Sequence, residues 1–252
     1  MGQIELTGVG LSYFTLKQET EALRDINLSI DRGEFISIVG PSGCGKSTLL
    51  SLVSGMLKPT VGTVKIDGNE VTSTSPKVGY MLQHDHLFEW RDVLSNLMVG
   101  AEIRRMDRGK AKHKALELLQ RYGLGEFAHH NPAQLSGGMR QRVALIRTLV
   151  AEPDILLLDE PFSALDYQTR LTLSEEVLQI IKDQGKTAVL VTHDLSEAIS
   201  MADRVMVMSK RPSTISTVYS IQFDEGDDLS PWKKREAGRY NEYFNAIWKE
   251  LE

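Results

Sequence analysis

Residues 40–47 restrict the possible folds more than any other part of the chain, because they read GPSGCGKS. The apolar run FISIV precedes this segment and the apolar stretch TLLSLVSGM follows it. A buried strand, a glycine-rich loop and a helix are therefore predicted in that order. Glycines let the backbone curl until successive N–H groups point inward, and a helix N-terminus favours negative charge. We predict a phosphate-binding loop in an α/β protein.

A second strand end carries two carboxylates. Four apolar residues at positions 155–158 are followed by Asp159 and Glu160. Ligands of open α/β sheets bind at the carboxyl ends of strands, so both side chains are candidates for the same chemistry. Together with a P-loop, Asp159 is predicted to hold Mg²⁺ and Glu160 to polarise the attacking water. An acidic strand end on its own would be interpreted as a helix cap.

Within the glycine-rich loop, the P-loop pattern gives each polar residue a role. Lys46 is expected to reach the β- and γ-phosphates, and the hydroxyl of Ser47 is expected to bind Mg²⁺. Thr48 adds a further possible phosphate contact. Cys44 is interpreted as a packing residue and not as a nucleophile.

Composition and charge exclude several classes of protein. The 252 residues are 41% hydrophobic and 25% charged, which is typical of a globular protein and not of a disordered one. The net charge of −5 argues against a nucleic-acid partner. One cysteine excludes an internal disulfide and fits a reducing cytosol. The N-terminus does not resemble a signal peptide, and no apolar run approaches the roughly 20 residues of a membrane span.

Hydrophobic periodicity predicts the order of elements. Strands are predicted around residues 26–30, 35–39, 64–66, 78–82, 155–158 and 188–191, and helices around 48–56, 110–122, 137–150, 169–183 and 194–202. Strands that alternate with helices imply an α/β fold with a mainly parallel sheet. The helical pattern from about residue 84 to 150 is interpreted as an inserted helical subdomain. A tail from about residue 211 to 252 is expected to hold a short strand, an acidic loop at 224–228 and a closing helix.

The segment LSGGMRQR, residues 135–142, narrows the class further. Ser136 and two glycines at the start of a helix make a second anion-binding site. One nucleotide does not need two such sites from one chain, whereas a head-to-tail dimer would use both. This segment resembles the signature motif of the ABC ATPases, and the chain is similar to that family over about residues 4–210.

The resemblance implies roles for further residues. Tyr13 is expected to stack on adenine, Gln83 to sense Mg²⁺ and the γ-phosphate, and His193 to contact the γ-phosphate. The segment SALD, residues 163–166, resembles the loop that contacts the partner across the dimer. The alternatives are simple surface stacking for Tyr13 and a structural role for His193.

The resemblance also completes the expected site. The fold is a P-loop NTPase (RecA-like) core with an N-terminal antiparallel β subdomain and the inserted helical subdomain, so that residues 1–252 form one ABC ATPase domain. The cofactors are ATP and Mg²⁺, with Ser47, Gln83 and Asp159 as metal ligands and Glu160, His193, Gln83 and Lys46 as catalytic residues. The nucleotide-binding set is Tyr13, Gly40, Ser42, Gly43, Cys44, Gly45, Lys46, Ser47, Thr48, Ser136, Gly138 and Asp166.

The expected partners follow from the same resemblance. They are membrane permease subunits, a second ATPase subunit (an identical one in a homodimer) and a solute-binding protein, with the chain on the cytoplasmic side of the inner membrane. Leu87, Phe88 and Trp90 lie in a predicted loop that would receive the permease. Their alternative role is packing under the helical insertion.

The end of the chain resembles one group of importers. The segment RVMVMSKRP (204–212) and the tail YFNAIWKEL (243–251) are similar to the nitrate, sulfonate and taurine importers, although Ser213 stands where that group has glycine. Import of a small solute in a bacterium is therefore expected. The alternatives are a soluble ABC ATPase of DNA repair or translation, an exporter subunit, and a structural protein with an inactive site.

Overall fold

The computed structural model describes residues 2–15, 18–163, 165–224 and 230–252. Ala164 of the SALD segment and most of the acidic loop, residues 225–228, lie outside that range. The chain divides into two compact units, which are described separately. The first comprises Met1–Ser75 and Leu171–Glu252, and the second comprises Pro76–Arg170.

The first unit opens with antiparallel strands. β1 (Ile4–Phe14) pairs with β2 (Glu19–Ile30) and with β4 (Val61–Ile66), and β4 turns back into the short β5 (Asn69–Glu70). Asp67 and Gly68 form that turn, both with positive φ, as the Asp-Gly pair predicts. The alternation of apolar and polar residues at 26–30 correctly predicted the end of β2.

Parallel strands carry the core of the first unit. β3 (Phe35–Val39) pairs in parallel with β8 (Thr187–Val191) and with β9 (Arg204–Met208), and β10 (Ile215–Ser220) joins β9 antiparallel. Every residue of β3 and β8 is buried, which explains their continuous apolar sequences. Met206 and Met208 of β9 are also buried in this core.

Helices complete the first unit. α1 (Lys46–Val53) follows β3, and α6 (Leu195–Met201) packs against β3 and β9. α7 (Pro231–Glu236) and α8 (Tyr240–Leu251) pack against α6. α8 is the predicted closing helix, whereas α7 was not predicted.

The second unit is mainly helical. β6 (Val78–Met81) and β7 (Ile155–Asp159) pair in parallel. The chain between these two strands forms three helices that pack on one another: α2 (Val93–Ile103), α3 (Arg108–Arg121) and α4 (Gly137–Val150). α5 (Tyr167–Asp183) begins in this unit and ends in the first. Side-chain caps from Asp92, Asp107 and Ser136 start α2, α3 and α4 respectively. The helices predicted at 110–122 and from residue 137 are confirmed.

Candidate functional site

The glycine-rich loop connects β3 to α1, as its sequence predicts. Gly43 has φ +73° and Gly45 has φ +124°, so two of its glycines use backbone conformations that other residues rarely adopt. No side chain caps α1 at Gly45, and the first N–H groups of a helix have no partner within the helix. The helix N-terminus therefore presents backbone donors next to the exposed Ser47.

Lys46 lies over the loop. Its Nζ donates hydrogen bonds to the carbonyl oxygens of Gly40 at 2.8 Å and Pro41 at 3.1 Å, and its side chain is buried. Cys44 is also buried, and its N–H donates to the Pro41 oxygen at 3.2 Å, in keeping with a packing residue. The ammonium group is held at the loop by main-chain carbonyl oxygens.

Tyr13 lies at the same end of α1. It is 43% exposed near the end of β1, and its hydroxyl is 3.1 Å from the Oγ1 of Thr48. The structure therefore brings the predicted adenine-stacking ring to the residue that follows Ser47 in the first turn of α1. An exposed aromatic face beside a phosphate-binding loop is suited to a nucleotide base.

His193 lies at the edge of the sheet where β3 also ends. Ile38 is paired with Val191, and the N–H of Thr192 donates to the Ile38 oxygen at 3.3 Å. Gly40 and His193 each lie two residues beyond this pair, so both follow their strands at the same edge of the sheet. The side chain of His193 is exposed there.

In the second unit, two strand ends bring carboxylates together with an amide. Met81 is paired with Leu158, so Gln83 and Glu160 both lie two residues beyond a paired position. The Nε2 of Gln83 donates to Oε2 of Glu160 at 3.1 Å. Asp159 is buried, and the Tyr80 hydroxyl donates to its Oδ2 at 3.4 Å.

Glu160 also has an unusual backbone. Its φ is +47°, in the left-handed region that a non-glycine residue enters at a cost of about 1–2 kcal/mol. Such conformations concentrate at functional sites because the surrounding structure must hold them. Asp67 in the β4–β5 turn and Glu152 both have a φ of +49°, so this conformation alone does not distinguish Glu160 as a functional residue.

The LSGG segment opens α4. Ser136 is its N-cap, with the Oγ accepting from the N–H of Met139 at 3.3 Å. Ser136 and Gly137 are exposed, and a Cβ built on Gly137 meets nothing within 4 Å. A Cβ on Gly138 would lie 3.0 Å from Leu165. The predicted second anion site is therefore an open helix N-terminus.

Asp166 begins α5. Its Oδ1 accepts from the N–H of Thr169 at 3.0 Å, and the carboxylate is exposed. Hydrogen bonds from Thr169, first from its side chain and then from its N–H, lower the pKa of this carboxyl. Asp166 therefore stays ionised at neutral pH while it caps its own helix.

A salt-bridge cluster near Gln83 has no signal in the sequence. Arg140 of the LSGGMRQR segment binds Asp85 through Nε at 2.9 Å and Nη2 at 3.1 Å, and Nη2 also binds Glu89 at 2.7 Å. Two helical turns further along α4, Arg147 donates to the carbonyl oxygens of Asp85 at 2.6 Å and His86 at 2.8 Å. The loop that follows Gln83 is thus attached to α4.

Arg140 and Asp85 each stabilise the charged form of the other. Burial raises the pKa of the Asp85 carboxyl, but hydrogen bonds from Arg140 and from the Leu87 N–H lower it more, so its pKa lies below the ordinary value. The hydrogen bond to Asp85 in turn raises the pKa of Arg140. Both groups are charged at neutral pH.

The expected docking loop is only partly exposed. Leu87 is buried, and Phe88 is half-buried with its ring centroid 4.9 Å from that of Trp90. Trp90 is 79% exposed. The buried amide of Asn96 binds the main chain of Phe88 in both directions, with donor–acceptor distances of 2.7 and 3.1 Å. Trp90 is therefore the exposed aromatic side chain of this loop, and Leu87 is a core residue.

The family described as ABC transporter matches residues 23–163, more than half of the chain. The chain belongs to the ABC transporter family. It is 44% identical over 251 residues to an uncharacterised ABC transporter ATP-binding protein of Bacillus subtilis (strain 168), YtlC, covering 100% of this chain and 96% of that protein. It is 40% identical over 224 residues to the taurine import ATP-binding protein TauB of Pelagibacter ubique (strain HTCC1062), covering 88% and 84%.

A solved structure agrees with these relatives. It is a dimeric, post-hydrolysis state of the ATP-binding cassette MJ0796 bound to ADP and Pi, with a TM-score of 0.78 and 32% identity, and the similarity covers 87% of this chain and 99% of that one. The predicted ABC ATPase fold is thereby confirmed. The chain is an ATP-binding ABC cassette and an ATPase. Among its described residues, no helix is both long and apolar enough to cross a membrane.

Proposed function

We propose that this ABC cassette hydrolyses Mg·ATP as one of two ATPase subunits on the cytoplasmic face of a bacterial inner membrane. In that position it powers import of a small solute through a separate permease. The observation that carries the hydrolytic part is the carboxylate of Glu160, which is held by Gln83 at the carboxyl end of a buried strand. In the proposed domain plan, residues 1–252 are one nucleotide-binding domain with a helical subdomain at about 84–150 and a tail at about 211–252.

The glycine-rich loop binds the phosphates in this proposal. Its curled backbone and the open N-terminus of α1 supply N–H donors, and Lys46 moves from the loop carbonyls to the β- and γ-phosphates. Tyr13 stacks on adenine. The remaining contacts of the set come from Gly40, Ser42, Gly43, Cys44, Gly45, Ser47 and Thr48.

The donor set fits a magnesium ion. Mg²⁺ prefers oxygen ligands, and the exposed hydroxyl of Ser47, the carboxylate of Asp159 and the amide oxygen of Gln83 all supply them. Bound Mg²⁺ would neutralise charge on the β- and γ-phosphates. The hydroxyl of Tyr80 orients the carboxylate of Asp159. The assignment of these residues to one ion rests on the order of the motifs along the chain.

Hydrolysis then needs a positioned water. The carboxylate of Glu160 accepts a hydrogen bond from that water and orients it for attack on the γ-phosphorus, and His193 donates to the γ-phosphate as charge develops there. Phosphoryl transfer of this kind depends on positioning and electrostatics, without a covalent enzyme intermediate.

A second copy completes each site. Ser136 and Gly138, at the open N-terminus of α4, bind the nucleotide held by the partner's glycine-rich loop, and Asp166 contacts the partner across the dimer. The dimeric relative bound to ADP and Pi supports this arrangement. Loss of the γ-phosphate would then open the dimer.

The transported solute is inferred from the relatives. Similarity to a taurine import ATP-binding protein supports a taurine, sulfonate or nitrate solute, delivered by a solute-binding protein to the permease. Because the relatives are named for transport, a soluble role in DNA repair or translation is not favoured. The net charge of −5 also argues against nucleic acid as a partner.

Reconstitution tests the proposal. The cassette is assembled in proteoliposomes with the permease and binding protein encoded beside its gene, and ATP hydrolysis is measured with taurine, an alkanesulfonate, nitrate or no solute. Stimulation by one of these solutes, with its accumulation on the ATP side, is the expected result. Equal ATPase activity with and without every solute would contradict the solute assignment, and failure to assemble with the permease would contradict the transporter role.

Docking is tested on the exposed tryptophan. Trp90→Ala should weaken capture of the permease while the basal ATPase activity of the isolated cassette is retained. Trp232→Ala is the matched control, since Trp232 is 49% exposed on α7. Equal loss of capture in both variants would mean that the loop around Trp90 has no specific role.

A further inference from the structure

The turn that contains His193 is held by a buried side-chain hydrogen bond that was not predicted from the sequence. The hydroxyl of Thr192 donates to Oε2 of Glu197 at 2.6 Å. The same hydroxyl oxygen accepts from the N–H of Asp194 at 3.0 Å. The residues on either side of His193 are therefore joined by a hydrogen bond, from the N–H of Asp194 to the hydroxyl of Thr192.

The next helix holds the other side of the turn. Asp194 caps α6, and its Oδ1 accepts from the N–H groups of Ser196 at 2.7 Å and Glu197 at 3.3 Å. The Thr192 N–H donates to Ile38 of β3, two residues before the glycine-rich loop. The turn is thus tied at one end to the strand that leads into the phosphate loop and at the other end to α6.

Because Thr192 and Glu197 are both buried, loss of the hydrogen bond between them would leave a buried polar group unsatisfied. Thr192 is 2% exposed and Glu197 is 3% exposed. A buried polar group without a hydrogen bond is strongly unfavourable. The 2.6 Å contact with Thr192 satisfies one oxygen of the buried Glu197 side chain. The side chain of His193, in contrast, is exposed.

We propose that Thr192 is a positioning residue for ATP hydrolysis: its hydroxyl, bound to Glu197 and to the N–H of Asp194, sets the orientation of His193. This inference rests on the proposed role of His193 at the γ-phosphate. A displacement of a catalytic group by about 1 Å can lower a rate by roughly 100-fold. Loss of the Thr192 hydroxyl should therefore lower kcat and leave the affinity for ATP nearly unchanged, because the phosphate loop is not altered.

The first test compares two substitutions of one residue. Thr192→Val keeps the shape and removes the hydroxyl, and we expect kcat to fall at least about 10-fold with KM within about threefold of the wild type. Thr192→Ser restores the hydroxyl and should recover most of kcat. A fall in stability without a fall in the kcat of the folded protein would show that the bond is only structural and would overturn the proposal.

Thr187→Val is the matched control. Thr187 lies at the other end of β8, is fully buried, and its hydroxyl oxygen accepts from the N–H of Gly33 at 2.8 Å while donating to Gln3. This variant loses an equally buried hydroxyl at the opposite end of β8 from Thr192 and should keep its kcat. An equal fall of kcat in Thr187→Val and Thr192→Val would assign the effect to general loosening of the strand, against the proposal.

A double-mutant cycle separates this inference from the role of His193 itself. If Thr192 acts through His193, Thr192→Val should have no further effect on kcat in the His193→Ala background. An equal effect in both backgrounds would overturn the inference, whereas full activity of His193→Ala alone would overturn the proposed role of the histidine. As a second readout, the imidazole ¹⁵N resonances of His193 should shift in Thr192→Val, return in Thr192→Ser and stay unchanged in Thr187→Val. Unshifted resonances in Thr192→Val would contradict the inference.

Discussion

The amide of Gln83 donates a hydrogen bond to the carboxylate of Glu160, with 3.1 Å between Nε2 and Oε2. An ionised carboxylate only accepts hydrogen bonds, so this contact fixes which way the amide is turned. The Oε1 of Gln83 is then directed away from Glu160 and can serve another donor or a cation. One hydrogen bond thus makes Gln83 suitable as a magnesium ligand while it orients the carboxylate proposed to act on water.

Removal of the Glu160 charge should stop hydrolysis but not binding. Glu160→Gln keeps the size and an acceptor oxygen for Gln83, so we expect ATP affinity within a few-fold of the wild type. We expect kcat to fall by about 10²- to 10⁴-fold, the usual contribution of a positioned base. Steady-state ATPase assays and equilibrium ATP binding measure both quantities.

Glu152→Gln is a matched control for that change. Glu152 is an exposed glutamate of the same unit and has a φ of +49°, close to the value at Glu160. Its substitution should leave kcat unchanged. Full turnover in Glu160→Gln would refute the assigned role of the carboxylate.

The ring of Tyr13 should contribute to nucleotide affinity through stacking. Tyr13→Ala is expected to weaken ATP binding by about 1–3 kcal/mol, the range for one base on one aromatic ring. Tyr13→Phe keeps the ring and loses only the contact with Thr48, so most of the affinity should remain. Titration with a fluorescent ATP analogue gives the dissociation constants.

Phe14→Ala is the control for general damage to β1, since Phe14 is the adjacent residue and is 68% exposed. Its ATP affinity should equal that of the wild type. If Tyr13→Ala and Phe14→Ala behave alike, the adenine contact is elsewhere.

The LSGG segment should act on the nucleotide of the other copy. A Ser136→Arg side chain fills the open N-terminus of α4, so the homodimer should bind ATP in its own loops without hydrolysing it. In mixed dimers of Ser136→Arg with Lys46→Ala, one site has both defects and the other has neither. Partial recovery of ATPase activity on mixing two inactive variants is expected, and no recovery would argue against shared sites.

The Arg140–Asp85 pair should stabilise the fold except in acid. The pKa of Asp85 is lowered in the folded state, so its contribution is complete above the unfolded value of about 3.9 and is lost as pH falls through the folded pKa. Urea denaturation should show Asp85→Asn to be less stable than the wild type by about 1–2 kcal/mol at pH 7, with a difference that shrinks below about pH 4. In an Arg140→Gln background the same substitution should cost clearly less at pH 7.

Much of the fold follows from local patterns. The continuous apolar run of β3 and the start of α4 near Gly137 each depend on a few adjacent residues, and each was predicted. α7 was not predicted, because its six residues, PWKKRE, hold too few apolar positions to show a helical period.

The site divides in the same way. The residues proposed to touch ATP lie in short motifs that the sequence displays, whereas their supports are pairs brought together by folding. Arg140 and Asp85 are 55 positions apart, and no spacing rule links them. Leu87 could equally have been exposed in its loop, and only the packing of the second unit shows that it is buried.

At Glu160 the left-handed backbone conformation lowers the stability of the fold, whereas the side chain at the same position is proposed to be required for activity. Glycine adopts a φ near +47° freely, so Glu160→Gly would relieve strain even though it removes a side chain and the hydrogen bond from Gln83. A library of this cassette selected only for thermal resistance would therefore be drawn toward inactive sequences at residue 160. Engineering for robustness has to hold this glutamate constant and seek its gains elsewhere in the chain.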